Sequence, residues 1–297
     1  MKKLFTLLAL TISFSMNAQM SDNSTGTSAT GTNAVAMGED STASGSRSTA
    51  MGYDTTASGY ASTAMGAGPT ASGYGSTAMG GGTTASYYYS TAMGAGTTAS
   101  GSRSTSMGDN TTASGHSSTS MGYYTTASDY ASVVIGQYNS SGSSATSAGS
   151  FSTSNTAFVI GNGTNSSNKS DAFKVMFNGD ATVSNDLTVS GDVVISSDAR
   201  LKSNIVSLGS TLPKLLQIDG KSYEMKGKQK IGVLAQEIQE VFPELVSEDD
   251  NEMLAVNYQG LVPVLINALK EQQSEIDRLK KQEKRIERLE KLVANMD

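Results

Sequence analysis

Two residues in the stretch SSDARLKSN, residues 196–204, carry side chains that could together perform nucleophilic chemistry. Ser197 supplies a hydroxyl, and a lysine five positions on, Lys202, can accept its proton if burial or a neighbouring cation, here Arg200, favours the neutral amine. Ser–Lys pairs are a known variant of serine catalysis, and with His116 as the single histidine a His-based triad is not plausible.

The spacing of this pair places a condition on the backbone. On an extended strand, residues five apart lie roughly 16 Å from each other and on opposite faces. The chain must therefore turn between Ser197 and Lys202, or the lysine of one chain must serve the serine of another. Either arrangement would make the chemistry depend on folding, and the second would make it depend on assembly.

The pair stands where the composition of the chain changes. Residues 20–196 carry 14 charged side chains, whereas residues 197–297 carry 32. The chain has 297 residues, no Cys, no Trp and a formal net charge of −6. A mildly acidic chain without a basic stripe argues against nucleic acid as a partner. Two physically different segments have been joined near residue 197.

The first residues, MKKLFTLLALTISFSMNAQ, have the layout of a secretory signal peptide at 1–19. Cleavage is predicted after Ala18 or Gln19, and an N-terminal anchor is the alternative. No later segment approaches about 18 continuous apolar residues, so no transmembrane segment is predicted in the mature chain. The protein is therefore expected to be secreted or at the cell surface. Without disulfides, its stability must come from regular packing or from oligomerisation.

A fourteen-residue period runs through the first half of the chain. Its unit is roughly TASGxxSTAMGxxT, with one Met, one following Gly and one Ala held in phase. The methionines are Met37, Met51, Met65, Met79, Met93, Met107 and Met121, and Ile135 continues the series. Short alternating runs that end in Gly predict two strands per unit, and stacked units predict a parallel β-roll with a thin Ala interior and a Met column as apolar filling. Three chains side by side would cover the columns, which predicts a homotrimer.

This repeat resembles the head repeats of trimeric autotransporter adhesins of the YadA kind, over about residues 29–136. Met stands where that family usually has Ile or Leu, and Tyr87 and Asp129 replace the Gly of the first half of the unit. The resemblance implies a trimeric adhesin head, here residues 20–136.

The outward variable positions suggest what the head could contact. These positions are Tyr53, Asp54, Tyr60, Tyr74, Tyr87–Tyr89, Tyr123, Tyr124 and Tyr130, and all but one of them are Tyr. Exposed Tyr can bind a host protein, matrix or glycan ligand, and aromatic ladders that stiffen the coils are the alternative. The Met column could bind a soft metal ion, but packing is favoured because no His or Cys joins it. No metal and no cofactor are predicted, and His116 is expected to be exposed.

Residues 137–196 form the predicted connector. Residues 137–157 are Ser-rich and are expected to be an irregular loop. The segments Phe158–Gly163, Ala172–Val183 and Asn185–Ser197 then predict strands separated by Asn-Gly and Ser-Gly turns. They are interpreted as a β neck.

The last segment, residues 197–297, has the pattern of a small α/β domain. A hairpin is predicted from Lys221–Met225 and Lys230–Ala235, followed by a helix from Ala235 that Pro243 stops, with a strand at Met253–Tyr258. The helix should bury one face: Ile238, Val241 and Phe242. A long helix from about Leu261 to the end carries an apolar stripe that predicts a three-stranded coiled coil, with a register break near Gln282–Glu283. The stripe is Leu269, Ile276, Leu279, Ile286, Leu289, Val293 and Met296.

Three blocks in this segment resemble the S74 peptidase family, the intramolecular chaperones at the C-termini of phage tailspikes and endosialidases. The blocks are SDARLKSNI (197–205), GVLAQEIQEVFPELV (232–246) and VNYQGLVPVLINALKEQ (256–272). The resemblance implies a domain that trimerises, helps the fibre before it to fold and then cuts itself off. It assigns Ser197 as nucleophile, Lys202 as base and Ser196–Ser197 as the scissile bond.

The predicted fold is therefore mainly β: a trimeric β-roll head, a β neck and an α/β chaperone domain ending in a coiled-coil helix. The predicted function is an exported adhesin-like fibre that releases its C-terminal domain by autoproteolysis. The alternative is a structural or binding fibre whose C-terminal domain only trimerises. An enzyme that acts on an external substrate finds no support, because the repeat has no paired carboxylates and no metal-ligand spacing.

Overall fold

A computed structural model describes residues 20–21, 24–249 and 252–295 of the chain. The predicted signal peptide, residues 1–19, and Met296 of the predicted stripe lie outside the described residues. The chain divides into two compact units, and the boundary falls between Asp192 and Val193. The finer bounds predicted for head, neck and C-terminal domain stay a prediction.

The N-terminal unit is a parallel β-solenoid of about eight turns over residues 28–137, with fourteen residues per coil. Each full coil has one longer strand, such as Thr63–Ala67, and one two-residue strand, such as Thr70–Ala71. Equivalent strands pair in register, so that Met65 lies beside Met79. Stacking in this way pairs the backbone groups of each coil with those of its neighbours. The predicted parallel β-roll is confirmed.

The strands of this unit form two sheets. The first, called the long-strand sheet, contains Met20–Ser21, Val35–Met37, Thr49–Tyr53, Thr63–Ala67, Thr77–Gly81, Thr91–Ala95, Thr105–Asp109, Thr119–Tyr123, Val133–Gln137, Thr156–Asn162, Asp171–Met176 and Ala181–Val183. The second, called the short-strand sheet, contains Ser28–Ala29, Thr42–Ala43, Thr56–Ala57, Thr70–Ala71, Thr84–Ala85, Thr98–Ala99, Thr112–Ala113 and Thr126–Ala127.

Small side chains fill the space between the two sheets. Ala64 and Ala78 of the long-strand sheet and Ala71 and Ala85 of the short-strand sheet are fully buried and belong to one cluster. Because alanine occupies little volume, two sheets lined with it can pack closely along the whole solenoid. The predicted thin Ala interior is confirmed.

The methionine column lies on the outer face of the long-strand sheet, on the side opposite to the buried alanines. In the strand Thr91–Ala95, Ala92 is buried while Thr91 and Met93 are half-buried. Successive residues of a strand point to opposite faces, so an Ala and the Met that follows it cannot both point inward. The narrow interior takes the Ala, and the methionines form an apolar stripe outside.

Glycine is required after each of these methionines because the coils approach closely there. Gly66 has a φ of 131°, and a Cβ on it would lie 2.2 Å from the carbonyl oxygen of Gly80 in the next coil. A side chain at this position would clash with backbone and would hold a conformation that only glycine adopts easily. The Met-Gly step is therefore a packing requirement of the stacked coils.

Asp129, one of the two departures from the repeat, organises the end of the solenoid. Its side chain is fully buried, and its carboxylate accepts the backbone N–H groups of Thr146, Ser147 and Thr156 at 2.6, 3.2 and 2.9 Å. The Ser-rich segment 137–157, expected to be an irregular loop, is indeed without a strand from Tyr138 to Asn155. It is held against the last coil by these bonds.

Two of the three strand segments predicted in the connector, Phe158–Gly163 and Ala172–Val183, contain strands. Thr156–Asn162 pairs in parallel with Val133–Gln137 and antiparallel with Asp171–Met176, which turns into Ala181–Val183 across Asn178 and Gly179. The strand predicted at Asn185–Ser197 is wrong for the single chain, because these residues are exposed and form no strand. A strand needs a neighbour that pairs with its backbone, and no segment of the described chain supplies one.

The C-terminal unit is the small α/β domain that the pattern predicted. Its helices are Leu212–Leu215, Ala235–Val241 and Leu261–Ala294; its strands are Lys221–Met225, Lys228–Gly232, Val246–Glu248 and Leu254–Val256; and its 3-10 turns are Ala199–Leu201, Pro243–Leu245 and Tyr258–Gly260. The first two strands form the predicted hairpin, and the last two pair with each other. The expected helix face, Ile238, Val241 and Phe242, is buried and packs with Val264.

The long helix Leu261–Ala294 leaves its apolar stripe uncovered in the single chain. The exposed stripe residues are Leu269, Ile276, Leu279, Ile286, Leu289 and Val293. The helix continues through Gln282–Glu283, where a register break was predicted. The coiled coil itself stays a prediction. Among the described residues, no helix combines the length and apolarity needed to cross a membrane.

Candidate active site

The stretch SSDARLKSN folds into a tight turn that begins at Asp198. The backbone forms a 3-10 turn at Ala199–Leu201, and the carboxylate of Asp198 accepts the N–H of Arg200 at 2.8 Å. Aspartate is favoured in this capping position because its side chain satisfies an N–H group that the first turn leaves unpaired. The capped turn reverses the chain between Ser197 and Lys202.

This turn brings together the two residues that the sequence singled out. The Nζ atom of Lys202 donates a hydrogen bond to Oγ of Ser197 at 2.7 Å. An extended chain would have separated them by roughly 16 Å. Of the two arrangements that the spacing allowed, the turn within one chain is the one that the structure contains. The contact has the length of a nucleophile–base hydrogen bond.

Arg200 was expected to be the cation that favours the neutral amine of Lys202, but it pairs with Asp198 instead. Its Nε and Nη2 atoms donate to the two carboxylate oxygens of Asp198 at 3.0 and 2.7 Å. The hydrogen bonds from Arg200 lower the pKa of Asp198, and the bond to Asp198 raises the pKa of Arg200. The guanidinium charge near Lys202 in sequence is therefore already paired with a carboxylate.

The surroundings of the pair are apolar and open to solvent. Ser197 and Lys202 are both exposed in the single chain. Apolar side chains on either side of them are exposed too: Val193, Val194, Ile195, Leu201, Ile205, Val206 and Leu208. A lysine becomes an effective base when water is removed from its ammonium group. The single chain has the hydrogen bond but leaves the pair solvated.

Glu271, on the long helix, fixes the segment that follows the pair, and sequence reasoning missed it. Its carboxylate accepts the hydroxyl of Ser210 at 2.7 Å and the N–H of Thr211 at 2.6 Å. These bonds, the one from the Ser210 hydroxyl foremost, lower the pKa of Glu271. The hydroxyl of buried Thr211 donates to the carbonyl oxygen of Val264 at 3.0 Å. The sequence signal that could have indicated such an acceptor is Thr-Leu-Pro at the start of a helix, because the first N–H groups of a helix need acceptors from outside it.

The Tyr-rich outer positions of the solenoid form aromatic contacts between neighbouring coils. Tyr60 stacks on Tyr74 with ring centroids 4.9 Å apart, and Tyr124 stacks on Tyr138 at 5.0 Å. His116, expected to be exposed, is partly exposed and stacks on a tyrosine ring. Within the described part of the chain, no group of three or more His, Cys, Asp or Glu side chains could hold a metal ion.

Comparison with known families matches the two units to different families. The YadA head domain repeat matches residues 29–55, 43–68, 71–97, 88–111 and 113–139. The Peptidase S74 family, described as chaperone of endosialidase, matches residues 197–247, beginning at Ser197. The third resembling block, residues 256–272, lies outside that match. No curated protein matches the chain.

The chain therefore joins YadA head repeats to a chaperone-of-endosialidase domain, as the resemblances implied. These matches support a trimeric adhesin-like fibre with a C-terminal chaperone domain. They also suggest a surface or secreted protein.

Proposed function

We propose that the protein is an exported trimeric fibre whose C-terminal domain first aligns three chains and then releases itself by cutting the Ser196–Ser197 bond. The observation that carries the proposal is the 2.7 Å hydrogen bond between Lys202 and Ser197, at the first residue of the chaperone match. Alignment is needed because identical repeats pair almost equally well one coil out of step. A clamp at one end of the fibre removes that ambiguity.

The chemistry requires the neutral amine of Lys202 and the carbonyl carbon of Ser196. Ser197 Oγ attacks that carbon while its proton passes to Lys202. When the peptide C–N bond breaks, the nitrogen of Ser197 takes the proton back, and an ester joins the Ser196 carbonyl carbon to Ser197 Oγ. Water then hydrolyses the ester, which gives a carboxylate at Ser196 and restores the Ser197 hydroxyl. The released fragment begins with a free amine at Ser197.

Assembly would supply the dry environment that the single chain lacks. Exposed apolar side chains flank Ser197 and Lys202, and a further apolar stripe runs along the helix Leu261–Ala294. Covering these surfaces with two other copies would remove water from Lys202 and favour its neutral form. Cutting would then follow trimer formation and would leave a kinetically trapped fibre.

The second candidate function is a fibre whose C-terminal domain trimerises and never cuts. The pairing of Arg200 with Asp198 favours it, because the cation nearest to Lys202 in sequence is already compensated. The exposure of Lys202 favours it too. The two functions differ in one observable, the presence of a free N-terminus at Ser197.

Intact-mass measurement on the purified full chain separates the two. The wild type should yield a fragment that begins SDARLKSN, whereas Ser197→Ala should stay intact and still form trimers. Lys202→Arg should also stay intact, because arginine keeps the charge and cannot act as a base. Ser196→Ala is the matched control and should be cut normally, since only its carbonyl takes part. Intact wild-type chains, or equal processing of Ser197→Ala, would exclude autoproteolysis and leave the non-cutting fibre.

A further inference from the structure

An open groove runs along one outer corner of the solenoid over three successive coils. Three exposed serines line it, Ser58, Ser72 and Ser86. Tyr60, Tyr74 and Tyr88 line it as well, one in each coil. The groove has a volume of about 400 Å³, which lies in the range of small-molecule sites.

Tyr87, the second departure from the repeat, lines this groove together with Gly59 and Gly73, which hold the equivalent position in the two preceding coils. At the glycine positions the coils nearly touch: a Cβ on Gly59 would lie 2.0 Å from the carbonyl oxygen of Gly73. The N–H of Gly59 donates to the carbonyl oxygen of Ala71, twelve residues ahead. The N–H of Tyr87 donates instead to Oγ of Ser90 at 3.2 Å. The local bonding of the repeat thus changes at the one coil where Tyr replaces Gly.

The two departures from the repeat differ in what they do for the fold. Asp129 is fully buried and accepts three backbone N–H groups, so packing explains it. Tyr87 is half exposed, and the ring contact that it makes is an edge-on approach to Tyr88 at 5.2 Å. Natural proteins break such local rules chiefly at functional or strained sites, which makes Tyr87 a candidate for function.

The tyrosines of the groove differ in how far their rings are covered. Tyr60 has Tyr74 stacked on it and the guanidinium of Arg47 over its ring at 5.4 Å. Tyr88 also approaches Tyr74, with tilted rings 6.2 Å apart. Tyr87 and Tyr88 are nevertheless each about half exposed and offer open ring surface to a ligand.

We propose that this groove binds a neutral saccharide of one or two rings. A pyranose has an apolar C–H face that packs on an aromatic ring and a rim of hydroxyls that serine hydroxyls can both donate to and accept from. None of the described residues that line the groove is ionised, which disfavours an anionic sugar. The proposal rests on the adhesin part of the proposed function and is independent of self-cleavage.

Replacing Tyr87 by glycine, the residue that the repeat has at this position, tests the proposal. Tyr87→Gly restores the unit found in neighbouring coils, so it should fold at least as well as the wild type. Tyr53→Gly is the matched control: Tyr53 is exposed outside the groove, and the equivalent residue two coils on is Gly81. The purified full chain is titrated by ligand-observed NMR with lactose, maltose, cellobiose and chitobiose, and with sialyllactose as an anionic probe.

At least one neutral disaccharide should bind the wild type and Tyr53→Gly equally, and Tyr87→Gly should weaken binding by roughly tenfold, the effect of losing one aromatic contact. Binding should not change between low and high salt, because no charge pair contributes. Absence of binding by every neutral probe, equal binding by Tyr87→Gly, or binding of sialyllactose alone would overturn the proposal. Because cutting is read on the same protein by mass, a failure of cleavage and a failure of saccharide binding are distinguished.

Discussion

The side-chain amide of Asn139 pairs with the backbone of Thr126, accepting its N–H at 2.8 Å and donating to its carbonyl oxygen at 2.9 Å. One coil earlier, the N–H of Thr112 donates to the carbonyl oxygen of Thr125, thirteen residues ahead. Asn139 stands thirteen residues after Thr126, so its side chain replaces the backbone acceptor of a strand that the chain does not form. The last edge of the short-strand sheet is thereby covered.

Removing this cap should destabilise the head. Asn139→Ala leaves a backbone N–H and a carbonyl oxygen without partners, at a cost of about 1–3 kcal/mol for each buried group. The exposed edge should also promote association. Thermal unfolding and light scattering of the full chain measure both effects. Asn168→Ala, in an exposed turn, is the control, and equal behaviour of the two variants would show that Asn139 is not a cap.

The close approach of the coils predicts a strong contrast between two glycines on adjacent coils. Gly66→Ala puts a side chain against the backbone of Gly80 at a positive φ, and the conformational strain alone costs about 1–3 kcal/mol. Gly81→Ala meets no atom within 4 Å and should be nearly neutral. Denaturant unfolding of both variants checks the prediction. A similar loss for both would mean that the spacing of the coils is not set at the Met-Gly step.

The outward methionines predict where the head meets its other copies. Met93→Lys adds a charge to the apolar stripe on the long-strand sheet and should dissociate the head trimer, because a buried unpaired charge is costly. Thr84→Lys makes the same change on the outer face of the short-strand sheet and should leave the trimer intact. Multi-angle light scattering reports the mass. Dissociation by Thr84→Lys instead would assign the interface to the other sheet.

Glu271 predicts an acid-sensitive C-terminal unit. Its pKa is lowered from its ordinary 4.5 by the hydrogen bonds from Ser210 and Thr211, so folding favours the charged carboxylate. The stabilisation is therefore present above that ordinary value and is lost as pH falls through the lower folded pKa. Glu271→Gln should flatten the pH dependence of the melting temperature in this acidic range, and Glu283→Gln should not. If Glu271→Gln left the pH dependence of the melting temperature unchanged, this carboxylate would not contribute to acid unfolding.

The fourteen-residue period was enough to predict the solenoid, since a repeat held in phase can satisfy its backbone only by stacking in register. Alternation along each strand made Ala and Met point to opposite faces, and the small volume of Ala predicted which face is inside. The narrow space between the sheets agrees, because it admits Ala92 and puts Met93 on the outer face. The strand predicted at Asn185–Ser197 was wrong for a related reason, because a strand depends on a neighbour that a local pattern cannot supply.

At the candidate site, residue types and spacing were enough to select Ser197 and Lys202 and to require a turn or a second chain. The tertiary structure decided the rest. The turn capped by the carboxylate of Asp198 brings the two side chains into contact. The same carboxylate forms an ion pair with Arg200. Hydrogen-bond partners such as Glu271, 60 residues from Thr211, depend on how distant segments pack, which local sequence patterns do not encode.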